Sequence, residues 1–348
     1  MTVEGLVSRS KAAQEQFAFA TQEQADAAAR AVCKVIYDNA EMLGPLAAEE
    51  TRLGSEADKV TKCRMKSALI WHSLKGKKSV GIINRLEDRR MIEIAKPMGV
   101  VASIVPSTNP VVTPMSNAAF ALKTRNSIIF APHPRAVKCT KLLVGMFRTE
   151  LAKLGFPEDL VLGLEQVSIE DSGKLMSLAD VIVATGGMGM VKAAYSSGKP
   201  ALGVGAGNVQ CIVDRDADLA EAASKIIIGR SFDNGLICLG EQTVFIPEEK
   251  FDAFIKEMEK QGGYYAAEPE LVDKLREGIF PGGGAISRDV VGLTAEKVAA
   301  QIGLDVPEGT RIIIARAKAL GHGDVLCREK CVLSSPSIRT ARLKKVSP

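Results

Sequence analysis

Aromatic side chains make up only 5% of this 348-residue chain, with one Trp, four Tyr and eleven Phe. Such a surface has little with which to stack bases, and a formal net charge of +4 gives no electrostatic reason to expect nucleic acid either. No apolar run approaches the ~20 residues that a membrane-spanning helix requires. Met1-Thr-Val-Glu-Gly lacks the basic-then-apolar start of a secretory signal, and no packaging tag is expected ahead of the first helix. The seven cysteines, at 33, 63, 139, 211, 238, 327 and 331, are scattered, odd in number and form no Cys-x-x-Cys pair. The three histidines, His72, His133 and His322, do not cluster with them. Neither a structural zinc site nor a disulfide framework is expected, and a reducing cytoplasm is the expected compartment. What remains is an ordinary globular composition, 46% hydrophobic and 25% charged, in a chain long enough for two cores.

Residues 10–43 contain no Pro or Gly and carry apolar residues at helical spacing from Phe17 through Val32 to Ile36, which predicts one long helix. A second helical stretch runs to about residue 75, followed by two β-like runs at 79–83 and 91–95. From Gly99 the texture becomes strand–turn–helix. Strands are expected at 100–105, 127–131, 160–162 and 181–184, with helices at 113–123, 135–154, 169–177 and up to Tyr195. Uninterrupted apolar strands alternating with amphipathic helices predict a parallel sheet covered on both faces, a doubly wound nucleotide-binding architecture with ligands at the carboxyl ends of its strands. The alternation then loosens, with a helix over 248–261, a Gly-rich loop at 280–284, a helix at 294–302 and a strand at 311–315. The domain boundary is read near residue 233.

Three turns follow strands in this scheme: 106–110, 185–189 and 203–208. Their glycines either let backbone N–H groups approach a phosphate or oxyanion, or serve tight connections that need positive φ. None matches the G-x-G-x-x-G fingerprint. Asn109 either donates its amide to an oxyanion or caps the helix after it. Cys238 sits on the turn Phe232-Asp-Asn-Gly-Leu-Ile-Cys-Leu-Gly240 between a helical pattern and a strand-like run. Taken alone it is either a small buried hydrophobe or a nucleophile for a carbonyl. Glu241, just beyond, reads as a surface or helix-end acid, and His72 and His322 as structural or solvated.

Four stretches, at 104–110, 121–135, 184–208 and 232–238, resemble in order those of the CoA-acylating aldehyde dehydrogenases. The similarity is greatest to the aldehyde dehydrogenase half of bifunctional alcohol/aldehyde dehydrogenases and to stand-alone acetylating enzymes. It runs from about residue 5 to Glu329. The resemblance implies an aldehyde dehydrogenase-like α/β fold, with a cofactor domain at 1–232 and a smaller thiol-bearing catalytic domain at 233–330. It implies that Cys238 attacks an aldehyde, that Asn109 and the Cys238 backbone N–H hold the oxyanion, and that hydride passes to NAD, with NADP as the alternative. For the cofactor it implies Ser107, Thr108, His133, Arg135, Gly187, Met188, Gly205 and Glu329, the last near the nicotinamide ribose, with a solvated helix-start residue as the other reading of Arg135. No metal is implied. Hydrolytic relatives carry a glutamate in a Leu-Glu-Leu-Gly-Gly stretch, whereas Leu202-Gly203-Val204-Gly205-Ala206 has Gly203 in that slot. A glycine cannot activate water, so the thioester is expected to leave as acyl-CoA. The substrate pocket, near 107–115 and Ile237 and Leu239, suits a short aldehyde such as acetaldehyde.

The resemblance breaks after Lys330. Residues 331–348 have neither the family pattern nor amphipathic periodicity, and their Ser/Arg/Lys content predicts disorder. A frameshift or premature stop near residue 331 is the expectation, with the return segment missing, apolar faces uncovered and solubility and activity low. Homo-oligomerisation, the rule among full-length relatives, is left open. Two other readings remain, a truncated inactive fragment or pseudo-enzyme, and a hydrolytic aldehyde dehydrogenase giving the carboxylic acid.

Overall fold

The computed structural model describes residues 1–205, 207–319 and 323–330, and the backbone of 334–340. The chain divides into two compact units, one of residues 1–52 and 56–205, the other of 53–55 and 206–348. Among the described residues no helix is long and apolar enough to cross a membrane.

The first unit opens with four helices, α1 (Val3–Phe17), α2 (Gln22–Asp38), α3 (Ala40–Thr51) and α4 (Glu56–Leu74). The expected single helix over 10–43 is thus three. The break after α1 is a capping box: the Gln24 N–H donates to Thr21 Oγ1 at 3.3 Å and the Thr21 N–H to Gln24 Oε1 at 2.9 Å. A Thr three residues before a Gln is a helix start that a search for Pro and Gly overlooks. Next, β1 (Gly81–Leu86) and β2 (Met91–Ala95) pair antiparallel as a two-stranded sheet.

The doubly wound sheet follows: β3 (Val100–Val105), α5 (Val112–Lys123), β4 (Ser127–Pro132), α6 (Val137–Lys153), β5 (Val161–Gly163), α7 (Ile169–Leu178), β6 (Val181–Thr185), α8 (Met188–Tyr195) and β7 (Ala201–Val204). Its order is β5-β4-β3-β6-β7, and every pairing is parallel. All six residues of β3 and of β4 are buried, as expected for strands with helices on both faces. The carboxyl ends of β3, β4, β6 and β7 therefore lie along one edge.

The second unit contains β8 (Val209–Ile212), α9 (Leu219–Ser231), β9 (Glu241–Ile246), α10 (Phe251–Lys260), β10 (Gly263–Ala266), α11 (Pro269–Ile279), α12 (Ala295–Gln301), β11 (Ile312–Arg316) and β12 (Ser334–Thr340). These strands make a second parallel sheet, ordered β10-β11-β12-β9-β8. Because β8 pairs with β9 and α9 packs beside it, the division falls after Gly205, earlier than the boundary read near residue 233. Residues 334–340 also depart from expectation. They form a strand between β11 and β9, and the register shifts between Ile313 and Ala315, opposite the stretch containing Pro336. A ladder of backbone groups can fill the gap between two parallel strands whatever the side chains, and a proline without an N–H suits a register irregularity. The remaining tail residues and His322 lie outside the described residues.

Candidate functional site

The turn that carries the thiol is built from a run of left-handed residues. Asp233, Asn234 and Gly235 have φ of 49°, 50° and 76°, a conformation that Asp, Asn and Gly tolerate better than other residues. Tethers hold the run in place: the Ser55 N–H donates to Asp233 Oδ1 at 3.0 Å, and Asn234 Nδ2 donates to the Gly292 carbonyl at 3.0 Å. The Gly240 N–H closes on the Ile237 carbonyl at 3.1 Å. Cys238 thus stands at the second position of a tight turn and is exposed, while Cys33, Cys63, Cys139 and Cys327 are buried.

One residue distant in sequence lies against the backbone of Cys238, and a second is hydrogen-bonded to the first. A Cβ on Gly207 would lie 3.0 Å from the Cys238 carbonyl oxygen and 3.1 Å from its Cβ. The Gly207 N–H donates to Glu329 Oε1 at 2.8 Å. Burial raises the Glu329 carboxyl above its ordinary pKa, against the Gly207 hydrogen bond and the Arg230 charge, which lower it. Behind Glu329 the chain is pinned by a buried polar cluster. The Lys330 N–H donates to Gln242 Oε1 at 3.0 Å, Gln242 Nε2 donates to the Lys330 carbonyl at 3.2 Å, and Arg230 donates to that same carbonyl. Lys330 is fully buried, and burial with the nearby Arg230 charge pushes its amine down to about 7. Glu241 is not the surface acid expected. It is half-buried, its Oε2 has no hydrogen-bond partner among the described residues, and burial raises its pKa.

In the first unit the predicted residues gather at the carboxyl edge of the sheet. Ser107, Thr108 and Asn109 occupy the turn after β3 and are half-buried. The helix-cap reading of Asn109 is not realised. The N-cap of α5 is Val111, with no side-chain cap, and Asn109 Oδ1 accepts instead from Lys62 Nζ at 3.0 Å. His133 and Arg135 follow β4, where His133 Nδ1 accepts the Arg135 N–H at 3.1 Å and Arg135 is exposed. Gly187 is the N-cap of α8, and the space a Cβ would take there is open. Met188 lies over Gly205, its sulfur 2.8 Å from where a Cβ would stand. Backbone donors at a helix N-terminus, an open glycine and an exposed arginine after β4, with no acidic residue in these turns, fit an anionic dinucleotide.

Gly203 is crowded in its own way. A Cβ there would lie 2.7 Å from Val191 Cγ1 and 2.8 Å from Tyr195 Cε2, and the Gly203 N–H donates to the Tyr195 hydroxyl at 3.1 Å. Lys62, Gly207, Arg230 and Tyr195 had no role in the sequence reading. Gly207 alone left a trace there, inside a turn already singled out. Among the described residues no group of His, Cys, Asp and Glu could hold a metal ion.

Residues 1–268 match the profile of the aldehyde dehydrogenase family. Succinate-semialdehyde dehydrogenase (acetylating) of Clostridium kluyveri is 47% identical over 330 residues, covering 95% of this chain and 73% of that protein. The bifunctional aldehyde-alcohol dehydrogenase AdhE of Escherichia coli K12 is 38% identical over 97% of this chain, which spans 38% of that longer protein. Among solved structures, a probable aldehyde dehydrogenase from Listeria monocytogenes EGD-e superposes with a TM-score of 0.92 at 34% identity, covering 97% of this chain and 75% of the other. A propionaldehyde dehydrogenase from Rhodopseudomonas palustris, solved with bound CoA and an acylated cysteine, gives 0.85 at 30% identity, covering 97% and 77%.

Proposed function

The chain belongs to the aldehyde dehydrogenase family, and on that premise we propose that it oxidises a short aldehyde, such as acetaldehyde, to an acyl-CoA, reversibly. Cys238 is the nucleophile. Its thiolate adds to the carbonyl carbon, and the oxygen becomes an alkoxide held by the Asn109 amide and the Cys238 backbone N–H. NAD, with NADP as the alternative, supplies the hydride acceptor when bound, and the acyl group is left as a thioester on Cys238. Ser107, Thr108, His133, Arg135, Gly187, Met188 and Gly205 are the residues proposed to hold the cofactor, and Glu329 its ribose. The CoA thiolate then adds to the thioester, expels the Cys238 thiolate and leaves as acyl-CoA.

The observation that carries the CoA step is the packing at Gly203. Val191 and Tyr195 fill the space where a side chain would begin, so a water-activating carboxylate has no room to start from this position. A thiol needs far less activation than water. Assay of NADH formation from acetaldehyde with and without CoA is the test. CoA-dependent turnover, lost in Cys238→Ala, is the expected result. CoA-independent turnover would select the hydrolytic reading, and no turnover by folded protein the pseudo-enzyme.

A further inference from the structure

We propose that Lys62 is a positioning residue that sets and polarises the Asn109 amide. The inference rests on the reading of Asn109 as the oxyanion donor. Lys62 lies on the buried face of α4, one turn after Lys59, and each is only 4% exposed. Its ammonium donates to Asn109 Oδ1 at 3.0 Å. A side-chain amide can face either way in an ordinary site, because its oxygen and nitrogen are nearly isosteric. An ammonium has only donors, so it accepts one orientation of Asn109 alone, with oxygen toward Lys62 and NH2 directed away. Nδ2 makes one long contact among the described residues, 3.4 Å to Thr108 Oγ1, which leaves a second N–H for a ligand. The ammonium charge beside Oδ1 also draws electron density from the amide and makes that N–H a stronger donor. An oxyanion donor gains from both effects, since it acts only when fixed before the charge develops.

A merely structural lysine predicts something different: lost stability, with whatever rate remains independent of Asn109. The test follows acylation of Cys238 by acetyl-CoA, read by intact mass without nicotinamide, together with kcat and KM for acetaldehyde. Variants are Lys62→Met, Lys62→Arg, Asn109→Ala and the Lys62→Met/Asn109→Ala double. Lys62→Met should slow acylation and kcat by about tenfold to a hundredfold, no more than the loss expected for removing an oxyanion donor outright, with KM changed less than about threefold. Lys62→Arg should recover most of the rate, and in the Asn109→Ala background Lys62→Met should add less than about twofold. If Lys62→Met fails to fold, Lys62→Gln, which keeps a neutral donor, is expected at an intermediate rate. Lys62→Met at wild-type rate beside a slow Asn109→Ala would overturn the role of Lys62 and leave the oxyanion reading standing. Losses that multiply in the double variant would overturn it equally. A wild-type rate in Asn109→Ala would sink the oxyanion reading, and the proposal with it.

Discussion

Gly207 links the Glu329 carboxylate to Cys238: its N–H donates to Oε1 at 2.8 Å, and a Cβ on it would press on the Cys238 carbonyl oxygen and Cβ at 3.0 and 3.1 Å. The atoms in the way include the Cys238 backbone carbonyl, 3.0 Å from a Cβ at this position, and a backbone on a tethered turn cannot swing aside. Gly207→Ala should therefore displace the thiol or break the Glu329 contact. Overpacking of this kind costs about 1–3 kcal/mol. Chemical denaturation should show that loss, and acylation by acetyl-CoA should fall by up to about tenfold, since misplacing a reacting group lowers the rate steeply.

Gly203→Glu would reinstate the carboxylate of the hydrolytic enzymes in sequence but not in space. Its Cβ would meet Val191 and Tyr195 at 2.7–2.9 Å, so the variant is expected to lose about 1–3 kcal/mol of stability without gaining thioester hydrolysis. Free acetate released from acetyl-CoA is the readout, and rapid release by a stable Gly203→Glu would refute the steric argument.

Thiol alkylation should sort the cysteines by exposure. Iodoacetamide is expected to modify Cys238 ahead of Cys33, Cys63, Cys139 and Cys327, which are buried. Burial also pushes the Cys33 thiol up to about 12, and burial with the adjacent Glu50 raises Cys139 further. Peptide mapping after brief labelling checks this order, and Cys238→Ser should lose the fast-reacting site.

The turn leading to Glu329 rests on the pair Arg276–Asp324, whose two bonds are 3.0 and 2.7 Å with the Asp324 side chain 1% exposed. Burial alone would raise the Asp324 pKa, but the bonds from Arg276 and from the Lys318 and Leu326 N–H groups outweigh it, and the net shift is downward. A carboxylate held low in the folded state adds stability above its unfolded pKa of about 4, lost as pH falls through the folded value. Asp324→Asn should thus cost about 3–5 kcal/mol near neutrality, the range for removing one partner of a buried pair. Urea unfolding across pH should show the gap from wild type narrowing below about pH 4.

The first sheet was legible because β3 and β4 are continuous apolar runs, and only a sheet covered on both faces buries every residue of a strand. The unit boundary was not, since β8 is four residues of alternating burial that reads as the tail of a Gly-rich turn until it pairs with β9. Composition misled at 334–340, where the gap between β11 and β9 is filled by backbone bonds that side chains do not announce.

By itself the sequence determined which chemistry is present: a thiol on a turn of residues suited to left-handed geometry, a glycine in the water-activating slot, and the βα alternation that brings strand ends to one edge. Only the tertiary structure decided which atoms face one another. Lys62 and Asn109 are 47 positions apart and Gly207 and Glu329 are 122, and no local pattern couples such pairs. Their contacts follow from how helices pack and where parallel strands fall in register, which are properties of the whole folded chain.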